Sequence, residues 1–164
     1  MDIRAALKRQ YRGALAMLRE AIELCPAPRW VGGEDAVPFW QVAYHTLYFT
    51  DLYLQQRLED FRPWELHREP YHDLPWPAGS GSVIADPYTK AELLSYWAIV
   101  DEKVHAAVDA LNLEAPGSGF PWHATIPKFE HQLHNLRHLQ HHAALLSGRL
   151  RRADGTEVRW VRSA

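Results

Sequence analysis

A single cysteine, Cys25, in 164 residues excludes an intramolecular disulfide framework. Long hydrophobic runs are also missing. A membrane-spanning helix needs roughly 20 apolar residues, and the longest uncharged run near the middle, Ala36 to Thr50, is too short and contains a histidine. Neither sign of charge is in excess, with 18 Lys plus Arg against 20 Asp plus Glu and a net charge of -2, which disfavours a basic, nucleic-acid-coating surface. With 47% apolar and 23% charged residues the chain lies far from disordered compositions. The opening MDIRAALKRQ scatters charge through what would have to be the apolar stretch of a signal peptide. The expectation is one domain in a reducing cytoplasm, with no membrane and no nucleic-acid partner. GxGxxG, GxxxxGK and GxSxG motifs are absent, so neither a phosphate cradle nor a nucleophile elbow is expected.

Helical periodicity is what the chain does have. From Asp2 to Leu24, Ile3, Leu7, Tyr11, Ala14, Leu18 and Ile22 recur every three or four positions, and Pro26 and Pro28 stop the pattern. Pro38 to Asp60 carries almost no charge before Asp51, as in a helix buried on much of its circumference. Phe61 to Asp86 interleaves Pro63, Pro70, Pro75, Pro77, Gly79 and Gly81 with Trp64, Tyr71 and Trp76, which predicts a long ordered crossover of the kind that forms lids and binding loops. Thr89-Lys90-Ala91-Glu92 has capping-box spacing and opens a third helix with a stripe of Leu93, Trp97, Val100, Val104, Val108 and Leu111. After the loop Pro116 to Pro121, Thr125 offers a cap for a fourth helix from about Ile126 to Arg151. Asp154-Gly155, flanked by Val158 and Trp160, signals a tight hairpin. The expected fold is all-α: a four-helix bundle over residues 1–152, with a long crossover between its second and third helices and a short C-terminal hairpin or tail over 153–164.

Histidine carries the candidate chemistry. Five of the 10 histidines fall between His131 and His142. His134, His138 and His142 are spaced by four and stack along one helical stripe, where two imidazoles can share a cation at Zn–N distances of ~2.0–2.1 Å. A third donor from another helix would complete a three-ligand site, and the second helix offers His45. Spacing alone leaves two readings open. The histidines could instead be the helix's solvent face, since Phe129, Leu133, Leu136, Ala143 and Leu150 lie roughly opposite His138; Leu139, Leu145 and Leu146 argue for burial on a wide arc.

Other arrangements fit less well. A di-iron carboxylate site fails because Glu130 to His134 has the wrong spacing and the second helix lacks a glutamate before Glu59. Cys25, at a helix end before Pro26, reads as a packed thiol rather than a nucleophile. His105 reads as exposed or capped, and His67, His72 and His123 as hydrated loop rings. Arg149, Arg151 and Arg152 form a basic helix end that suits the helix dipole.

Two segments resemble one family. Phe39-Trp40-Gln41-Val42-Ala43-Tyr44-His45-Thr46-Leu47, with Asp51-Leu52-Tyr53-Leu54 downstream, is similar to the second helix of DinB/YfiT-like proteins. Arg137-His138-Leu139-Gln140-His141-His142-Ala143-Ala144-Leu145-Leu146 is similar to that family's last helix, which typically reads H-x-x-H-H-x-G-Q-[IL]. The resemblance spans about residues 1–152. It implies a four-helix bundle holding a divalent metal, commonly zinc or nickel, on His45, His138 and His142, with His134 and His141 as neighbours. Ala144 and Leu145 stand where Gly-Gln is usual, so no contact from that glutamine carries over.

The resemblance also implies a reaction class: several family members are thiol S-transferases that use a low-molecular-weight bacterial thiol, and others look like hydrolases. Three neutral imidazoles would leave the cation its full charge, so that a water or thiol on it ionises near neutral pH. The aromatic crossover from Trp64 to Trp76 would line the pocket for a small-molecule acceptor. No general base is identifiable. A noncatalytic metal-binding or stress-associated protein is the alternative, with His134 or His105 as fourth ligand, and a purely structural protein acting through partners is a third. Dimerisation through a helix face is compatible with the resemblance.

Overall fold

The computed structural model describes residues 2–32, 35–75 and 84–162, which are all-helical: five α-helices and no strand among the described residues. No described helix is long and apolar enough to cross a membrane.

Helix α1 (Ile3–Leu24) starts where the Asp2 carboxylate accepts the Ala5 amide at 2.9 Å. It buries Leu7, Tyr11, Ala14, Leu18 and Ile22, the stripe expected from the sequence, while Ile3 stays exposed. A short helix the periodicity did not reveal, α2 (Ala27–Val31), follows, with Pro28 in its first turn. It seats the buried Trp30, whose indole donates to the Tyr88 carbonyl at 2.7 Å.

Helix α3 (Phe39–Tyr53) is 15 residues long and ends well before Asp60. Side chains take the carbonyls at its end: Gln55 Nε2 donates to Asp51 at 3.2 Å and Gln132 Nε2 to Tyr53 at 2.8 Å. The fully buried Lys128 ammonium draws off the carbonyls of Gln55 and Gln56 at 2.6 and 2.8 Å, and Leu58 N–H turns to the Gly119 carbonyl at 3.0 Å. Gly119 has φ +83°, and a Cβ there would stand 2.3 Å from the Gln56 oxygen, so this junction requires glycine.

The Thr89–Glu92 capping box forms and starts α4 (Lys90–Ala110). Its inner face is Leu93, Tyr96, Val100, Val104 and Val108; Trp97 is only half-buried, with its indole donating to the Leu15 carbonyl at 2.8 Å. Helix α5 (Lys128–Asp154) begins at Pro127 rather than at Thr125. The expected C-terminal hairpin does not form. Leu150, which would precede the turn, is fully buried inside α5, and Gly155 at φ +77° closes that helix with its N–H on the Arg151 carbonyl. The tail beyond it is held by Arg159 on Glu20.

Helices α1 and α3 each pack against both α4 and α5, so four long helices surround one core that includes Tyr11, Leu15, Leu18, Trp40, Tyr44, Leu47, Tyr96 and Leu146. Over α3 runs the described part of the crossover. Trp64 stacks on Tyr96 with centroids 4.7 Å apart and planes 2° from parallel, and Tyr71 meets Trp40 edge-on at 5.6 Å. Trp76, Pro77, Gly79 and Gly81 lie outside the described residues.

Candidate metal centre

Only two positions of α3 are not buried, His45 and Phe49, one turn apart. The helix carries no charge before Asp51, and its Thr46 and Thr50 hydroxyls donate back to the Val42 and Thr46 carbonyls, so the rest of the helix can be buried. That leaves the His45 face directed at α5, where His138 and His142 come round at one-turn spacing.

The three rings meet. His45 Nε2 lies 3.0 Å from His138 Nε2, and ring centroids are 5.0 Å apart for His45–His138, 4.8 Å for His45–His142 and 4.5 Å for His138–His142. Each ring offers one nitrogen within 4.8 Å of the others, so the group could hold a metal ion. A tetrahedral ion with ~2.0–2.1 Å bonds would separate its nitrogen donors by ~3.3 Å, close to the His45–His138 spacing.

The tautomer of His45 follows from its other partner. Its Nδ1 lies 2.7 Å from the His72 carbonyl, an acceptor, so Nδ1 carries the proton and Nε2 presents its lone pair to the meeting point. A carbonyl on the far nitrogen of a histidine is the usual device that orients a metal-binding imidazole. Nδ1 of His138 and Nδ1 of His142 are buried without a hydrogen-bond partner among the described residues. Burial holds all three rings neutral: His45 is pushed down to about 4, His138 to about 2 and His142 to about 3, with repulsion from His45 adding to the effect of burial on the last two. Neutral, convergent nitrogen donors are what a zinc-like ion binds. Phe49 closes the apolar side, edge-on to His138 at 5.8 Å and 4.7 Å from His45.

No family model matches the chain, and neither a curated protein nor a solved structure matches it. The geometry is therefore what bears on function.

The solvent-face reading fails for His131, fully buried, and His142, 9% exposed, and Leu133, expected inside, is 46% exposed; it holds for His141, which is exposed, and for Ala143 and Leu150, which are buried. His134 and His105 do not join the group. His105 is exposed on α4, and His134 faces His123, with ring centroids 4.7 Å apart. His131 stacks on Phe120 at 5.0 Å and meets Tyr53 edge-on at 4.7 Å. Neither of its ring nitrogens has a partner among the described residues.

The crossover contributes differently from expectation. Trp64 is committed to the core against Tyr96 and does not line the histidine group. What reaches the group is the His72 carbonyl, and the loop that carries it is tied to α3 by Gln41 Nε2 donating to the Asp73 carbonyl at 2.9 Å. The sequence gives no sign of a main-chain contact of this kind. His67 and His72, expected as hydrated rings, are half-buried and stacked on Tyr48 at 5.1 and 4.2 Å. Their spacing, His-x-Glu-x-x-His, was the available signal.

Proposed function

We propose that this chain is a DinB/YfiT-like four-helix-bundle protein that holds a divalent metal, zinc or nickel, on His45, His138 and His142. We propose further that it works as a metal-dependent enzyme of the thiol S-transferase or hydrolase type. The convergence of three neutral imidazoles from two distant helices, with the His45 lone pair aimed by the His72 carbonyl, carries this reading. The two sequence segments that resemble the family are the ones that converge.

A bound divalent cation would supply Lewis acidity, acidifying a thiol or water that approaches it. The chain's own residues prepare the site. The His72 carbonyl keeps the proton of His45 on Nδ1, burial keeps His138 and His142 uncharged, and Phe49 excludes water from one side. Structural zinc sites are generally closed by four protein ligands, whereas catalytic ones keep a position open. A group of three histidines that neither His134 nor His105 joins favours the catalytic reading over the noncatalytic one. A low-molecular-weight thiol as co-substrate, a small-molecule acceptor and a homodimer belong to the same proposal.

The test is elemental analysis of untagged protein, then assays of thiol transfer to an electrophilic acceptor and of ester and amide hydrolysis, each with and without added zinc or nickel. Stoichiometric metal together with metal-dependent turnover is the expected result. Stoichiometric metal without turnover in any assay would move the protein to the noncatalytic class. No metal uptake would end the proposal.

A further inference from the structure

A second set of donors lies in the crossover, in the turn beside the first group. His67 and His72 flank the Glu69 carboxylate, with His67 Nε2 2.9 Å from Oε1 and His72 Nδ1 3.6 Å from Oε2. All three side chains offer a ligand atom within 4.8 Å of one another. An ion with bonds of ~2.0–2.2 Å to nitrogen and oxygen would hold such donors ~3.3 Å apart, and the two measured distances lie on either side of that value. We propose that His67, Glu69 and His72 form a second divalent-cation site, selective for ions of the zinc class, built on the crossover independently of the three-histidine group.

Three further observations support this assignment. His67 has a hydrogen-bond partner at its other nitrogen, with Tyr44 Oη 2.6 Å from His67 Nδ1. A hydrogen bond at the far nitrogen of a metal-binding imidazole fixes its tautomer and ring orientation. The planes of both rings are fixed by Tyr48, which stacks on His72 at 4.2 Å and on His67 at 5.1 Å. His72 Nδ1 is buried and has no hydrogen-bond partner among the described residues, although a carboxylate oxygen stands just beyond bonding distance; a cation fits that gap. The local chain shape brings the donors together, through successive turns in which Tyr71 N–H bonds the Arg68 carbonyl and Asp73 N–H the Pro70 carbonyl, each at 2.9 Å. Two histidines and one carboxylate form a ligand set that holds zinc with room for exchangeable ligands, and the exposed Glu69 leaves this site open to solvent.

The two groups share one residue without sharing a donor. His72 gives its carbonyl to His45 and its ring to the crossover site, and Gln41 anchors the adjacent backbone through the Asp73 carbonyl. Zinc titration of full-length, untagged, chelator-stripped protein against a chromophoric zinc indicator tests the proposal. Wild type should take two equivalents, and Glu69→Gln one. His67→Phe, which preserves the stacking on Tyr48, should also take one. The equivalent retained in both variants should keep its affinity within about threefold, and far-UV circular dichroism should not change. His138→Ala should likewise retain one equivalent, and Glu69→Gln/His138→Ala none. Two equivalents persisting in Glu69→Gln, or a single wild-type equivalent that His138→Ala removes and Glu69→Gln leaves, would overturn the crossover site. A single equivalent removed by Glu69→Gln but kept by His138→Ala would uphold the crossover site and refute the three-histidine reading.

Discussion

Truncating His138 to alanine tests the three-histidine group most directly, because that ring touches both of its proposed partners. Structural zinc sites with four ligands bind with ~10–16 kcal/mol, or roughly 2.5–4 kcal/mol per ligand. Losing one imidazole should therefore weaken the zinc equivalent assigned to this group by about 10²- to 10³-fold. The fold should tolerate the change. The substitution removes contacts with His45, Phe49 and His142, but it also removes the buried, unpartnered Nδ1 and places a better helix former within α5. These effects oppose one another, so the metal-free variant should lie within about 2 kcal/mol of wild type. The assay is zinc competition against a chromophoric indicator, paired with urea denaturation followed by circular dichroism. His134→Ala serves as the control, one turn away on the same stripe but facing His123, and should leave affinity unchanged. Equal zinc affinity in His138→Ala and wild type would refute the ligand assignment. A matching loss in His134→Ala would show that helix disruption, not ligation, was being measured.

Further outcomes follow from neighbouring contacts. Gln41→Ala frees the loop that carries the His72 carbonyl and should weaken the three-histidine equivalent by about tenfold or less, as removal of orienting contacts does; unchanged affinity would show that the loop holds itself in place. His131, pushed down to about 3 by burial and by Lys128, stays neutral in the fold while the unfolded chain takes up a proton below about 6.5. Stability therefore falls as pH drops through that window, by about 2 kcal/mol at pH 5 from this group. His131→Phe should remove that share of the acid sensitivity, and identical pH slopes in urea midpoints for variant and wild type would contradict it. Lys128→Met strands the carbonyls of Gln55, Gln56 and Ser118 and should destabilise the protein by about 3–5 kcal/mol; a shift in the urea midpoint worth under 1 kcal/mol would show that those carbonyls find other partners.

The sequence by itself determined α1 and α4, the existence of α3 and α5, and one stripe of donors. Apolar spacing in α1 and α4 and the Thr89–Glu92 box are local signals, and local signals are sufficient where a helix has one buried face and a side-chain cap. The one-turn spacing of His138 and His142 likewise puts both on one side of α5 whatever surrounds them. Tertiary structure decided the rest. The end of α3 is met by Gln132 on the Tyr53 carbonyl, 79 residues away in sequence, and just beyond it by Lys128 on the Gln55 carbonyl, 73 residues away, partners that no pattern near Tyr53 reveals. Asp154-Gly155 looks the same in a hairpin as in a left-handed helix cap, and the burial of Leu150 in α5 chose the cap. Whether the α5 histidines faced water or one another was undetermined until α3 packed against α5 and brought His45 within 3.0 Å of His138. The tautomer of His45 rests on a main-chain carbonyl, which every residue possesses and no sequence pattern can single out.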